Sequence, residues 1–123
     1  MTEPATVRVN GPANRHPLDV LVFYVPVADT EPVLDAVLAA GAGAVGNYRD
    51  CAWVTSGTGQ FRPMAGADPV LGRVGDLEHV PENRVELVAH RSLRRDVVAA
   101  LRAAHPYEEP AFHVIEVTDP DAR

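Results

Sequence analysis

Six consecutive residues, Val20-Leu21-Val22-Phe23-Tyr24-Val25, constrain this chain more than any other stretch. The run lies within residues 18–27 and is rich in β-branched and aromatic side chains. An unbroken apolar run of this length describes a strand whose two faces are both covered, because a half-solvated strand alternates. A chain of 123 residues builds one domain around one core. Its own helices can cover one face of such a strand. The other face calls for a partner subunit.

The rest of the chain falls into order around that strand. Asp29 and Thr30 can cap a helix that carries Glu31 and Pro32 in its first turn. Val33, Leu34, Val37 and Leu38 share one side of it, and Gly41 stands where a helix ends. Three glycines follow in Gly41-Ala42-Gly43-Ala44-Val45-Gly46. They come after a helix and do not open one, so they read as a tight helix-to-strand connection and not as a dinucleotide loop. Residues 51–56 read as a second strand, Gly57-Thr58-Gly59 as a turn and residues 60–63 as the return. Residues 73–80 and 84–90 are two further strand candidates, joined through Pro81-Glu82-Asn83. Arg84 and Glu86 share a face there and suit cross-strand pairs. Ser92 can cap a second helix with Leu93, Val97, Val98, Leu101 and Ala104 as its buried stripe. Residues 112–117 form the last strand. Residues 1–16 read as a mobile tail, 17–118 as the domain and 119–123 as a short polar tail.

The order is β-α-β, a hairpin-rich region over residues 51–73, then β-α-β. This is the ferredoxin-like α+β plan of two split βαβ halves, with the extra hairpin extending its sheet. Both helices then lie on one side of four strands. The other side is left bare, and an apolar bare face is an association surface.

Between the second helix and the last strand stands His105-Pro106-Tyr107-Glu108-Glu109-Pro110-Ala111. Each proline fixes its own φ and turns the residue before it away from the α region. The stretch is a stiff corner carrying an imidazole, a phenol and two carboxylates.

Composition removes several functions. There are 11 Lys+Arg against 17 Asp+Glu, a formal charge of -6. That balance argues against binding to the nucleic-acid backbone, which needs basic side chains at phosphates. All the basic residues are arginine, which excludes a Schiff-base lysine and a Walker-type phosphate lysine. The single cysteine, Cys51, cannot close an internal disulfide and reads as a buried, inert thiol in an apolar strand beside Trp53. No run of about 18 apolar residues offers a membrane span, and residues 1–16 lack the apolar centre of a signal peptide. The expectation is a cytoplasmic protein.

Several blocks together carry a family resemblance. They are Gly43-Ala44-Val45-Gly46-Asn47-Tyr48, Cys51, Gly57-Thr58-Gly59-Gln60-Phe61-Arg62-Pro63, Gly66-Ala67-Asp68-Pro69, Gly72, Gly75, Glu82-Asn83-Arg84-Val85-Glu86 and the residues 105–111 corner. In this order they resemble the inserted CutA-like domain of the Nif-three-like (YqfO-type) family of dinuclear-metal-centre hexameric proteins, over residues 18–117. The resemblance implies a ferredoxin-like CutA/PII-like fold and a homo-oligomer, trimer first and dimer second. It does not carry over the family's dinuclear metal site, whose ligands lie in flanking domains outside this insert. The chain then reads as the accessory module standing alone, and the larger family's GTP-cyclohydrolase-like label loses its support.

Two stretches are candidate sites. At the corner, His105, Glu108 and Glu109, with His113 and one of His79 or His90, have the side chains to hold a divalent metal. Against this, neighbouring residues of an extended segment point to opposite sides. The plainer alternative has Tyr107 packed and the carboxylates paired to Arg62 or Arg84. At the glycine-rich stretch, Gly57 and Gly59 expose backbone and Arg62 is an anion partner. Together with Tyr107 and Glu108 they are candidates for binding a small ligand between subunits. The plainer alternative is a hairpin turn with Phe61 packed. The expected function is a non-catalytic oligomeric module binding a small ligand, metal ion or protein partner. The other class is a metal-dependent hydrolase using His105, Glu108 and Glu109.

Overall fold

A computed structural model of the chain describes residues 16–121. The expected tail at residues 1–16 therefore lies, apart from His16, outside the described residues, as do the last two residues of the C-terminal tail.

The elements are β1 (Leu18–Pro26), α1 (Thr30–Ala39), β2 (Trp53–Phe61), β3 (Glu78–His90), α2 (Arg94–Ala104) and β4 (Phe112–Glu116). One sheet runs in the order β2-β3-β1-β4, and every neighbouring pair is antiparallel. This is the split βαβ arrangement expected from the sequence, an α+β sandwich with both helices against one face. Phe23 at its centre is fully buried, among Leu21, Val25, Val85, Leu87, Val33 and Val37 of α1, and Val97 and Leu101 of α2.

The hairpin region is present, but its turn is elsewhere. Gly57-Thr58-Gly59 is not a reversal. It lies inside β2, and the chain reverses through residues 62–77. Nor are there two strands around Pro81, since β3 runs straight through it for 13 residues. The register explains both departures. β1 ends at Pro26, opposite Glu82, whereas the β2–β3 pairing continues to Phe61 opposite Glu78. Beyond Glu82 the two strands form an arm with no β1 beside it. Pro81 occupies the first position where β3 has lost that neighbour, so its missing N–H breaks no ladder. Gly59 has a different role: it makes room for the Glu82 carboxylate, which lies across β2 and would have to shift if a Cβ stood there.

The glycine connection after α1 does what its spacing suggests. Gly41 follows the helix at φ 108°. Gly43 donates its N–H to the Val88 carbonyl at 2.7 Å and accepts from the Cys51 N–H at 2.9 Å. It thereby serves β3 where β2 has not yet begun. Its φ of 86° and the nearness of Leu38 and the Cys51 backbone leave no room for a side chain.

The expected caps are absent. Asp29 and Leu93 occupy the two N-cap positions without a side-chain bond. The Thr30 hydroxyl instead donates to the Pro26 carbonyl and accepts from the Asn83 amide. Ser92 lies within a short 3-10 turn. The start of α2 is held by charge: Asp19, 3% exposed, takes Arg94 at 2.7 and 2.8 Å and Arg91 at 2.9 Å, and Arg94 also reaches Glu116.

The face away from the helices carries the even-numbered residues of β1. Val20 pairs with both Ile115 and Val88, making one apolar row across three strands. The next row is His113, Val22, Glu86 and Trp53, and the next contains Tyr24, Arg84 and Thr55. Only part of this face is apolar. Arg84 pairs with Glu86 along its own strand, at 2.9 Å, and not across strands. Ile115 is 51% exposed and Trp53 68% exposed. No helix among the described residues is long and apolar enough to cross a membrane.

Candidate functional site

The helix-free face ends in a cleft of about 300 Å³. Four segments distant in sequence build it: the end of β2 with the loop after it, Tyr24 of β1, Glu82 of β3, and the proline corner. Its walls are mostly apolar, and aromatic rings line one side. The Phe61 and Tyr107 ring centres are 5.7 Å apart and tilted 56°. A smaller adjoining hollow shares Tyr24 and Glu82 and adds Gly57, Gly59 and Arg84. The two candidate stretches, some 45 residues apart, thus meet at one place: Arg62, Tyr107 and Glu108 line the cleft, Gly57 and Gly59 the hollow beside it.

The corner is positioned by His105. The pre-proline geometry turns it extended at the end of α2, with φ -70° and ψ 135°. The residue is 6% exposed. The Tyr107 N–H donates to Nδ1 at 3.1 Å, so Nε2 carries the proton and donates to the Tyr24 carbonyl at 2.7 Å. His105 is a brace between corner and β1. Both nitrogens are occupied, which leaves no lone pair for a metal.

The carboxylates do different work. The Glu108 side chain accepts the Asp68 N–H at 3.0 Å and ties the corner to the loop, while Glu109 is exposed at the rim. His113 lies on β4 with its ring centre 6.4 Å from that of Tyr24. His79 bonds Gln60, and His90 stacks on His16. The structure does not gather these groups: among the described residues no set of three or more His, Cys, Asp or Glu side chains could hold a metal ion. Nor do the expected Arg62 and Arg84 pairs to the corner form. Arg62 donates to the Gly75 carbonyl at 2.7 Å and folds the loop. Cys51 stands two residues before β2, half-buried and not buried as expected, with its thiol donating to the Arg49 carbonyl at 3.8 Å.

Glu82 is a cleft residue that the sequence reading did not count among the candidates. It is 9% exposed, in the lining of the cleft, and accepts the Tyr107 hydroxyl at 3.2 Å. Burial, then the charge and hydrogen bond of Glu82, push the Tyr107 phenol up to about 12, so it remains a donor at physiological pH. The signal was present as Gly59, a small residue making room for a carboxylate across the ladder.

The fold and the cleft define a CutA-like ferredoxin-type domain. CutA from Archaeoglobus fulgidus has the same fold, with a TM-score of 0.60 over 81% of this chain and 83% of that one at 15% identity. A Bacillus cereus protein related to NIF3 is more similar, with a TM-score of 0.72 at 40% identity, covering 83% of this chain and 26% of that one. Among curated proteins, the GTP cyclohydrolase 1 type 2 homolog of Mycobacterium tuberculosis is 52% identical over 103 residues, 84% of this chain and 27% of the relative. That of Bacillus subtilis is 41% identical over 115 residues, 94% of this chain and 31% of the relative. The chain belongs to the NIF3-related family and spans about a quarter to a third of the length of the curated relatives it matches. No family model matches it.

Proposed function

We propose that the chain is a non-catalytic, homo-oligomeric CutA/PII-like module that binds a small molecule in the cleft between the β2 end and the proline corner. The observation that carries this is the convergence of four segments on one mostly apolar cleft with a single nine-tenths-buried carboxylate in its lining. Such a hollow, apolar with few placed polar groups, is the form of small-ligand sites generally. Tyr24, Phe61 and Glu82 all point to the helix-free face, by the register of their strands. The cleft therefore opens towards the surface that the Val20, Val88 and Ile115 row offers to sister subunits. A trimer is the first assembly, by likeness to CutA, and a dimer the second. The fully braced His105 speaks against the hydrolase reading.

The test uses 2-phenylethanol, a neutral probe, followed by saturation-transfer NMR. Binding is expected to wild-type protein and to be lost in Ala111→Trp, which fills the cleft from its wall. Equal saturation transfer in both proteins would place the binding elsewhere and remove this reading.

A further inference from the structure

We propose that the cleft is selective for a small organic cation, an ammonium group on an apolar or aromatic body, with Glu82 as its counter-ion; this rests on the cleft being a ligand site.

The charges around the cleft decide the sign of the ligand. Four charged side chains line it: Arg62, Glu82, Glu108 and Glu109. Arg62 is engaged with the Gly75 carbonyl, and Arg84, in the adjoining hollow, is paired to Glu86. One Glu108 oxygen is held by the Asp68 N–H. Glu82 differs from the others in being buried. One of its oxygens accepts the Tyr107 hydroxyl, and among the described residues the other has no hydrogen-bond donor. Because no buried side-chain oxygen among the described residues lacks a partner, that open oxygen is accessible from the cleft, where a charged donor makes the strongest hydrogen bond to a carboxylate.

The walls select among cations. Tyr24, Phe61 and Tyr107 bring three aromatic rings to the space beside Glu82, and ring faces attract ammonium groups. Pro63, Met64, Val70 and Leu71 continue the wall and suit a hydrocarbon body. A bare metal ion finds too little here. A hard cation takes six or more oxygens, and the described residues supply no group of three metal-ligating side chains. An anion would meet three carboxylates and an arginine already engaged. The chain's formal charge of -6 favours approach of a cation as well.

The test is calorimetric titration at low salt with three probes of one shape: phenethylamine, 2-phenylethanol and 3-phenylpropionate. The amine should bind at least about tenfold more tightly than the alcohol, with the carboxylate weakest, as expected of a charge-assisted hydrogen bond. Glu82→Gln keeps the shape and the Tyr107 bond, and should bring the amine down to the level of the alcohol. Arg95→Ala, an exposed position on α2 away from the cleft, should leave amine binding in place. Carboxylate binding equal to or tighter than amine binding overturns the proposal, as does undiminished amine binding by a folded Glu82→Gln. The wild-type ranking decides the matter even where the variant unfolds. If the alcohol binds, is blocked by Ala111→Trp, and the amine binds no better, the cleft stands as a site and the cation inference falls. Should none of the three bind, both fall.

Discussion

Phe23→Ala should cost the fold about 3–5 kcal/mol, the range for removing a large aromatic from a packed core. Phe23 lies midway along β1, with 0% of its surface exposed, and it is the largest fully buried side chain. It faces α1 and α2 at once, so neither helix can settle into the vacated space without leaving the sheet. Stability in a domain of this size is typically about 5–15 kcal/mol in total. The midpoint of urea unfolding should therefore fall sharply, and the melting temperature by more than roughly 10 °C. Val54→Ala is the control. Val54 is on the edge strand and 45% exposed, so its truncation should shift stability by less than about 1 kcal/mol. Comparable losses in the two variants would mean that the core is not organised about Phe23.

Asp19→Asn should cost about 2–4 kcal/mol at neutral pH, since it leaves two arginines facing an amide in a buried position. The figure belongs towards the lower end, because the Arg91 and Arg94 side chains are 32% and 38% exposed and can be partly rehydrated. The loss should also depend on pH. The Arg94 hydrogen bond, supported by Arg91 and opposed by burial, holds the Asp19 carboxyl below its ordinary value. In the unfolded chain an aspartate takes up its proton near about pH 3.9. A carboxyl depressed on folding stabilises fully above the unfolded value, and that stabilisation is lost as pH falls through the folded one. The wild type and Asp19→Asn should differ most above about pH 5 and converge below pH 4, by urea unfolding across that range. A gap constant from pH 7 to 3 would contradict the role given to this carboxylate.

Most of the architecture was legible because it rests on local patterns. The apolar run at Val20 to Val25, the stripes at Val33 and Val37 and at Val97 and Leu101, and the proline corner each announce their element within a dozen residues. What escaped depends on pairing partners far away in sequence. Glycines at 57 and 59 and a proline at 81 are turn signals by intrinsic preference. They are overridden because β3 holds β2 in register, and because β1 ends where Pro81 begins its stretch of arm. Asp19 meets Arg91 and Arg94 across 72 and 75 residues, and no local cap predicts that. Its only sequence signal is a carboxylate within an apolar strand.

The site was legible as two halves and not as a whole. The corner and the glycine stretch were both visible as concentrations of unusual residues, but their meeting depends on the length of the β2–β3 arm. The metal reading of His105, Glu108, Glu109 and His113 came from residue type alone. Type does not reveal that the imidazole is already spent as a brace, or that Glu108 holds a backbone amide.

Light scattering on the purified protein, with Ile115→Asp alongside, tests the central claim that sister copies cover the helix-free face and that the cleft opens along their seam. The account expects a particle of about three times the 13.2 kDa chain mass, or two times at the least, falling to a folded single chain when Ile115 is charged. A wild-type particle of 13.2 kDa that stays monodisperse as concentration rises would contradict it.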